Sequence, residues 1–118
     1  MTGTTTPDPI GSGLRAWAAG DLDALAAVLA PEVTLRAVQP GPWDCTDREA
    51  VLRLLRQRRT ERGDRPPDPV HVRRVDERTY LVASDEPGPE PFPVATRVTV
   101  TGGRVTAMQQ IRAEVAGV

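Results

Sequence analysis

Early in the chain apolar residues recur every three or four positions, and late in the chain they alternate with polar ones. The first spacing is that of a helix face and the second that of a half-buried strand. Ile10, Leu14, Trp17 and Ala18 share one face of an expected helix. Asp8 before Pro9 opens it and Gly20 stops it. Asp21 caps a second helix with Leu22, Leu25, Ala26 and Leu29 on one face, ended by Pro31. A strand is expected over 33–38, with Val33 and Leu35 on one side, followed by the turn-rich loop QPGPWDC. Thr46 and Glu49 have capping-box spacing and open a third helix carrying Val51, Leu52, Leu54 and Leu55, closed by Gly63. Val70–Val75 and Thr79–Ser84 read as a hairpin. Val70, Val72, Tyr80 and Val82 are expected on its core face, with Arg74 turned inward near the turn. The proline-rich stretch 86–93 must be a loop, since proline cannot donate to a central ladder.

The rest is organised around PVATRVTVTGGRVTAMQQIR, residues 93–112. Gly102-Gly103 suits a two-residue turn with positive φ at both positions, and its flanks are rich in Val and Thr. Pairing Thr101 with Arg104 sets Val100 against Val105, Val98 against Ala107, Thr96 against Gln109 and Val94 against Ile111, all on one face. Thr96 and Gln109 are then polar residues on a core face, which either satisfy each other or line a cavity. The opposite face would carry Thr99, Thr106, Met108 and Gln110, uncharged in its middle, as a contact surface for a homodimer. Leu25, Leu54, Val98 and Val105 are expected in the core. Helices first and antiparallel strands last predict an α+β fold, a curved antiparallel sheet wrapped on three N-terminal helices as a cone-shaped barrel. A pocket between sheet and helices follows from the curl. Residues 1–8 are expected to be a disordered tail and 9–118 a single domain.

Composition narrows the chemistry. The chain has 118 residues and a formal net charge of −1, so no basic field argues for nucleic acid. Aromatic residues are too scarce for base-stacking platforms, and no apolar run is long enough to cross a membrane. The N-terminus has neither the basic nor the apolar region of a secretory signal. Cys45 is the one cysteine, which excludes an internal disulfide and a cysteine-based metal cluster, and a cytoplasmic setting is expected. All 15 basic residues are Arg, so Schiff-base and phosphate-loop lysines are excluded. No cofactor and no metal ligand set are expected. The arginines between Arg53 and Arg62 read as a solvated helix face.

The candidates for chemistry are few. Asp44 follows Trp43 in the loop expected at the pocket mouth, where it is either a carboxylate base or a loop residue accepting backbone N–H bonds. Trp17, Trp43 and Tyr80 are candidate pocket walls; Trp17 reads first as plain core, and Tyr80 either donates a hydrogen bond into the pocket or packs with its hydroxyl at the rim. His71, the single histidine, is expected on the outer strand face. Cys45 reads as a small buried hydrophobe.

Three stretches carry a family resemblance. AWAAGDLDALAAVLAPEVTL, GPWDCTDREAVLRLL and GGRVTAMQQIR resemble the paired first helices, the loop and third helix, and the last hairpin of the nuclear-transport-factor-2-like superfamily. That group includes the SnoaL-like polyketide cyclases and the ketosteroid isomerases, and the resemblance spans about residues 10–114. Asp47 stands where the family usually has Gly before Arg-Glu. The resemblance implies the cone-shaped fold, a dimer, and a pocket for a small, largely apolar molecule. It does not supply steroid-isomerase catalysis. The positions matching that group's Tyr and two Asp lie near Gly13, Ala37 and Thr96, and none carries the required side chain. Three functions stay open: a binding module, a SnoaL-like cyclase or isomerase using a pocket carboxylate, and a non-catalytic dimerisation domain with a filled cone.

Overall fold

The computed structural model describes residues 8–39, 41–42, 44–65, 70–84 and 94–112. The chain folds as α1 (Pro9–Ala19), α2 (Leu22–Val28), β1 (Leu29–Arg36), α3 (Arg48–Arg62), β2 (Val70–Arg74), β3 (Thr79–Ser84), β4 (Val94–Thr101) and β5 (Arg104–Arg112). The strands form one sheet in the order β1-β5-β4-β3-β2. All neighbours are antiparallel except β1, which runs parallel to β5. The fold is α+β, with the helices gathered against one face of the sheet.

Local chemistry sets the helix ends. Asp8 Oδ1 accepts the Ile10 N–H at 3.1 Å, and Pro9 sits at the first helical position, where its missing N–H costs nothing. Gly20 ends α1 at φ 70°, and the Gly20 and Asp21 N–H groups close on the Trp17 and Ala16 carbonyls at 3.1 and 2.9 Å. A Cβ built on Gly20 would lie 2.5 Å from Arg59 Nε, so a side chain there meets both backbone strain and a neighbour. Asp21 caps α2 through the Ala24 N–H. α3 departs from expectation: its cap is Asp47, which accepts the Ala50 N–H at 2.8 Å, so the box expected from Thr46 and Glu49 is not what opens the helix. Both residues are good caps, and the helix starts one position later. β1 begins at Leu29 rather than Val33 and includes Pro31, tolerated because β1 is an edge strand.

The larger of two apolar clusters holds the layers together; the smaller, Ala83 and Ala95 with Ile111, lies on the outer face of the sheet. Ile10, Leu29, Val33, Cys45, Val51, Val98 and Val105 form the larger, with Val33 and Val51 wholly excluded from solvent. Leu25 is also buried, but Leu54 is only partly so; Val51 is the α3 residue that enters the centre. No polar or charged side chain is buried among the described residues. Cys45 joins the core because it bridges Leu35 in antiparallel fashion, a one-pair remnant of a hairpin after β1. Burial, followed by the charges of Asp44 and Asp47, pushes its thiol pKa upward. β2 has the expected facing, with Val72 opposite Val82 and Arg74 opposite Tyr80. It is nonetheless exposed throughout, since it forms the far edge of the sheet: Val70 and Val72 keep 38% and 44% of their surface.

The long hairpin turns as expected and then departs. Gly102 and Gly103 have φ of 62° and 78°, and Thr101 pairs Arg104 and Val100 pairs Val105. A bulge follows, so Thr99 pairs Ala107 and Thr106 is the extra residue on β5. Thr106 Oγ1 donates to the Thr99 carbonyl at 3.3 Å, which occupies that residue's hydroxyl at the irregularity. Beyond it every β5 side chain is displaced by one position. Val98 faces Met108, Thr96 faces Gln110, Arg97 faces Gln109 and Ala95 faces Ile111. Thr96 is on the inner face as expected, but Gln109 is on the outer one, whereas Met108 and Gln110 are inside.

Candidate functional site

A cavity of about 200 Å³ lies between the helices and the inner face of the sheet. α1 contributes Gly13, Leu14 and Trp17 to its wall, α2 Leu25 and Val28, and α3 Leu55. The sheet contributes Val82, Thr96, Val98 and Met108. Thr96 is the one polar side chain among the residues that line it, and no ionisable group does. Gly13 matters because it has no side chain. A Cβ there would come into ordinary van der Waals contact with Val28 Cγ2 at 3.5 Å, so a methyl fits at this wall without a clash.

Trp17 is the aromatic wall, and α3 holds it. Arg62 Cζ sits 4.9 Å from the indole centroid, and Arg62 Nη1 donates to the Trp17 carbonyl at 3.2 Å. Arg62 therefore also places a cation at the C-terminal end of α1, where the helix dipole favours it.

The other candidates fall elsewhere. Tyr80 packs on the core but lines a neighbouring polar cleft rather than the cavity. Trp43 lies outside the described residues. Asp44 does not line the cavity; its Oδ1 accepts the Ala37 N–H at 3.0 Å. Gln109 Nε2 donates to the Ala37 carbonyl at 2.9 Å, so two side chains hold both polar groups of the residue that follows β1. These are structural uses, and the loop-residue reading of Asp44 is the one its geometry matches. Thr99 stays on the outer face, opposite Ala107, while Met108 and Gln110 leave the expected dimer surface. His71 is exposed, opposite Ala83 on the outer side.

The positions matched to the isomerase Tyr and second Asp, near Gly13 and Thr96, do reach the cavity, but without those groups. Among the described residues no cluster of three or more His, Cys, Asp and Glu lies together to hold a metal ion. No helix among the described residues is long and apolar enough to cross a membrane. Sequence reasoning missed Gly13, Val28, Leu55 and Met108 as cavity walls. Their helical and strand periodicity marked an apolar face, and a lined void has the same periodicity as a filled one.

Comparison with known proteins follows the same lines. No curated protein sequence matches the chain. An NTF2-like protein of unknown function from Cytophaga hutchinsonii superposes with a TM-score of 0.66 at 12% identity, over 94% of this chain and 92% of its own. A candidate polyketide cyclase from Sinorhizobium meliloti gives 0.65 at 22% identity, over 88% and 94%. An LEH-like epoxide hydrolase from M. tuberculosis gives 0.63 at 20%, over 91% and 81%. At these identities the likeness is one of fold. The SnoaL-like domain model matches residues 13–108, most of the chain and most of the cavity walls, and the protein belongs to the SnoaL-like family of the nuclear-transport-factor-2-like superfamily.

Proposed function

We propose that the protein binds a small, largely apolar molecule in the cavity between its helices and sheet. The observation that supports this is the wall: apolar side chains from three helices and four strands around about 200 Å³, with Thr96 as the single polar group. An apolar pocket of about 200 Å³, open on one side, suits a monocyclic or short-chain ligand. The void also weighs against a filled cone serving interaction alone.

Toluene is the probe. At ten times its dissociation constant it should stabilise the wild type by about 1.4 kcal/mol. Gly13→Leu should fold, since leaving Gly in a helix interior gains about 1 kcal/mol, and should lose that stabilisation because the new side chain fills the space. Equal toluene stabilisation in wild type and Gly13→Leu counts against the cavity as the site.

A cyclase- or isomerase-type enzyme is the second reading, favoured by the names of the Sinorhizobium and M. tuberculosis neighbours. It requires a base, and the cavity wall supplies none. Loss of a measured turnover in Asp44→Asn, with the fold intact, would favour it.

A homodimer through the outer sheet face is part of this proposal, with a changed membership. Thr34, Ala107, Thr99 and Thr79 form an uncharged row across four strands there. Light scattering should give a dimer for the wild type and a folded monomer for Ala107→Arg; a wild-type monomer at high micromolar concentration would end the dimer reading.

A further inference from the structure

We propose that the polar cleft beside the cavity receives the carboxylate of an amphipathic ligand whose apolar end lies in the cavity. The pocket would then select small aryl or alkyl carboxylic acids over their neutral analogues. This rests on the apolar-pocket reading above and names its ligand class.

The two spaces share a wall. The cleft, about 500 Å³, is bounded by the start of α1, the β2–β3 turn and the β4–β5 turn. Pro9 lines both. Along the inner face of β4, Val98 borders the cavity and Val100 borders the cleft. Two strand residues advance about 7 Å, so a ring with a three-carbon acid arm spans the step. Tyr80, opposite Val98 in the sheet, lines the cleft.

The chemistry changes across that step. The cavity has no charged group, whereas the cleft is lined by Arg74, Arg78 and the Tyr80 phenol. Guanidinium forks match a carboxylate in shape, and a phenol adds a third donor. The turn between Arg74, at the end of β2, and Arg78 is held in place: Arg74 Nε donates to the Asp76 carbonyl at 3.1 Å, and Asp76 Oδ1 accepts the Arg78 N–H at 2.9 Å. The Val100 N–H closes on the Arg78 carbonyl at 2.7 Å, tying that turn to β4. Two carboxylates share the cleft. Asp8 is committed to the α1 N-terminus through the Ile10 N–H, and Glu77 is exposed on the turn. Two cations and two anions make a cleft without a strong net field. It suits one short acidic head placed by direct hydrogen bonds and does not suit a polyanion drawn by charge.

The test compares 3-phenylpropanoate with 3-phenyl-1-propanol by calorimetry at low ionic strength. The acid should bind wild type about tenfold more tightly than the alcohol. Arg74→Gln and Arg78→Gln, checked for fold by circular dichroism, should each shrink that ratio, and the double variant should bring it to one. Equal binding of acid and alcohol by wild type, or a ratio that survives the double variant, overturns this inference and leaves the apolar pocket standing. Failure of both molecules to bind overturns the pocket reading and this inference with it.

Discussion

Replacing Val33 by Asp is expected to leave the protein largely unfolded at neutral pH. Val33 has no exposed surface, and it sits among Leu29, Cys45, Val51 and Val105 in a core without a buried polar side chain among the described residues. An ionised carboxylate there finds no partner. An uncompensated buried charge costs about 3–5 kcal/mol, and the lost apolar contacts add to it. Against a total stability of about 5–15 kcal/mol for a domain, that removes most of the margin. Val33→Ala should be far milder, at about 2 kcal/mol. Chemical denaturation with circular dichroism measures both. A Val33→Asp protein as stable as the wild type would mean that β1 does not pack as described.

Met108→Asp should also destabilise, by about 2–5 kcal/mol, rather than merely change the assembly state. Read without the bulge, β5 puts Met108 outside, and the same variant would be a folded monomer. With the bulge at Thr106, Met108 stands opposite Val98 and against the core cluster, so the carboxylate enters an apolar wall. Burial would raise the pKa of that carboxyl above its unfolded value of about 3.9. The folded state then binds the proton more tightly than the unfolded one, so the penalty develops as pH rises above about 4 and fades below it. Urea midpoints for wild type and variant at pH 3.5 and 7 measure this. A variant with wild-type stability at pH 7 would put Met108 back on the outer face.

Much of the fold is written in short-range chemistry that a sequence displays. Asp8, Gly20, Asp21 and Gly63 mark helix ends because capping and positive φ depend on one or two residues. Gly102-Gly103 marks its turn for the same reason. What was not legible depends on distant partners or on near-ties. Thr46 and Asp47 both suit an N-cap, and the packing of α3 chooses between them. The run Val105-Thr106-Ala107-Met108 fits two registers: small Ala107 is tolerated on either face, and Met108 is apolar enough for a core and flexible enough for a surface. The sheet decides. β1 lies beside β5 with Leu35 opposite Met108 and Arg36 opposite Gln109, and the outer Gln109 then reaches the Ala37 carbonyl. That parallel pairing joins segments about seventy residues apart, which no local pattern announces. Of the residues expected at a pocket, Trp17 and Thr96 do line the cavity, and Gln109 does not, because its face turns on one extra residue in a strand.

Met108 also offers the most direct test of the proposed binding site. The chain contains two methionines, Met1 and Met108, so a protein labelled with ¹³C at methionine methyls gives two signals to follow. Toluene should move the Met108 methyl resonance saturably, because Met108 lines the cavity. A Met108 signal that stays unmoved up to the solubility limit of toluene would contradict the cavity as a ligand site.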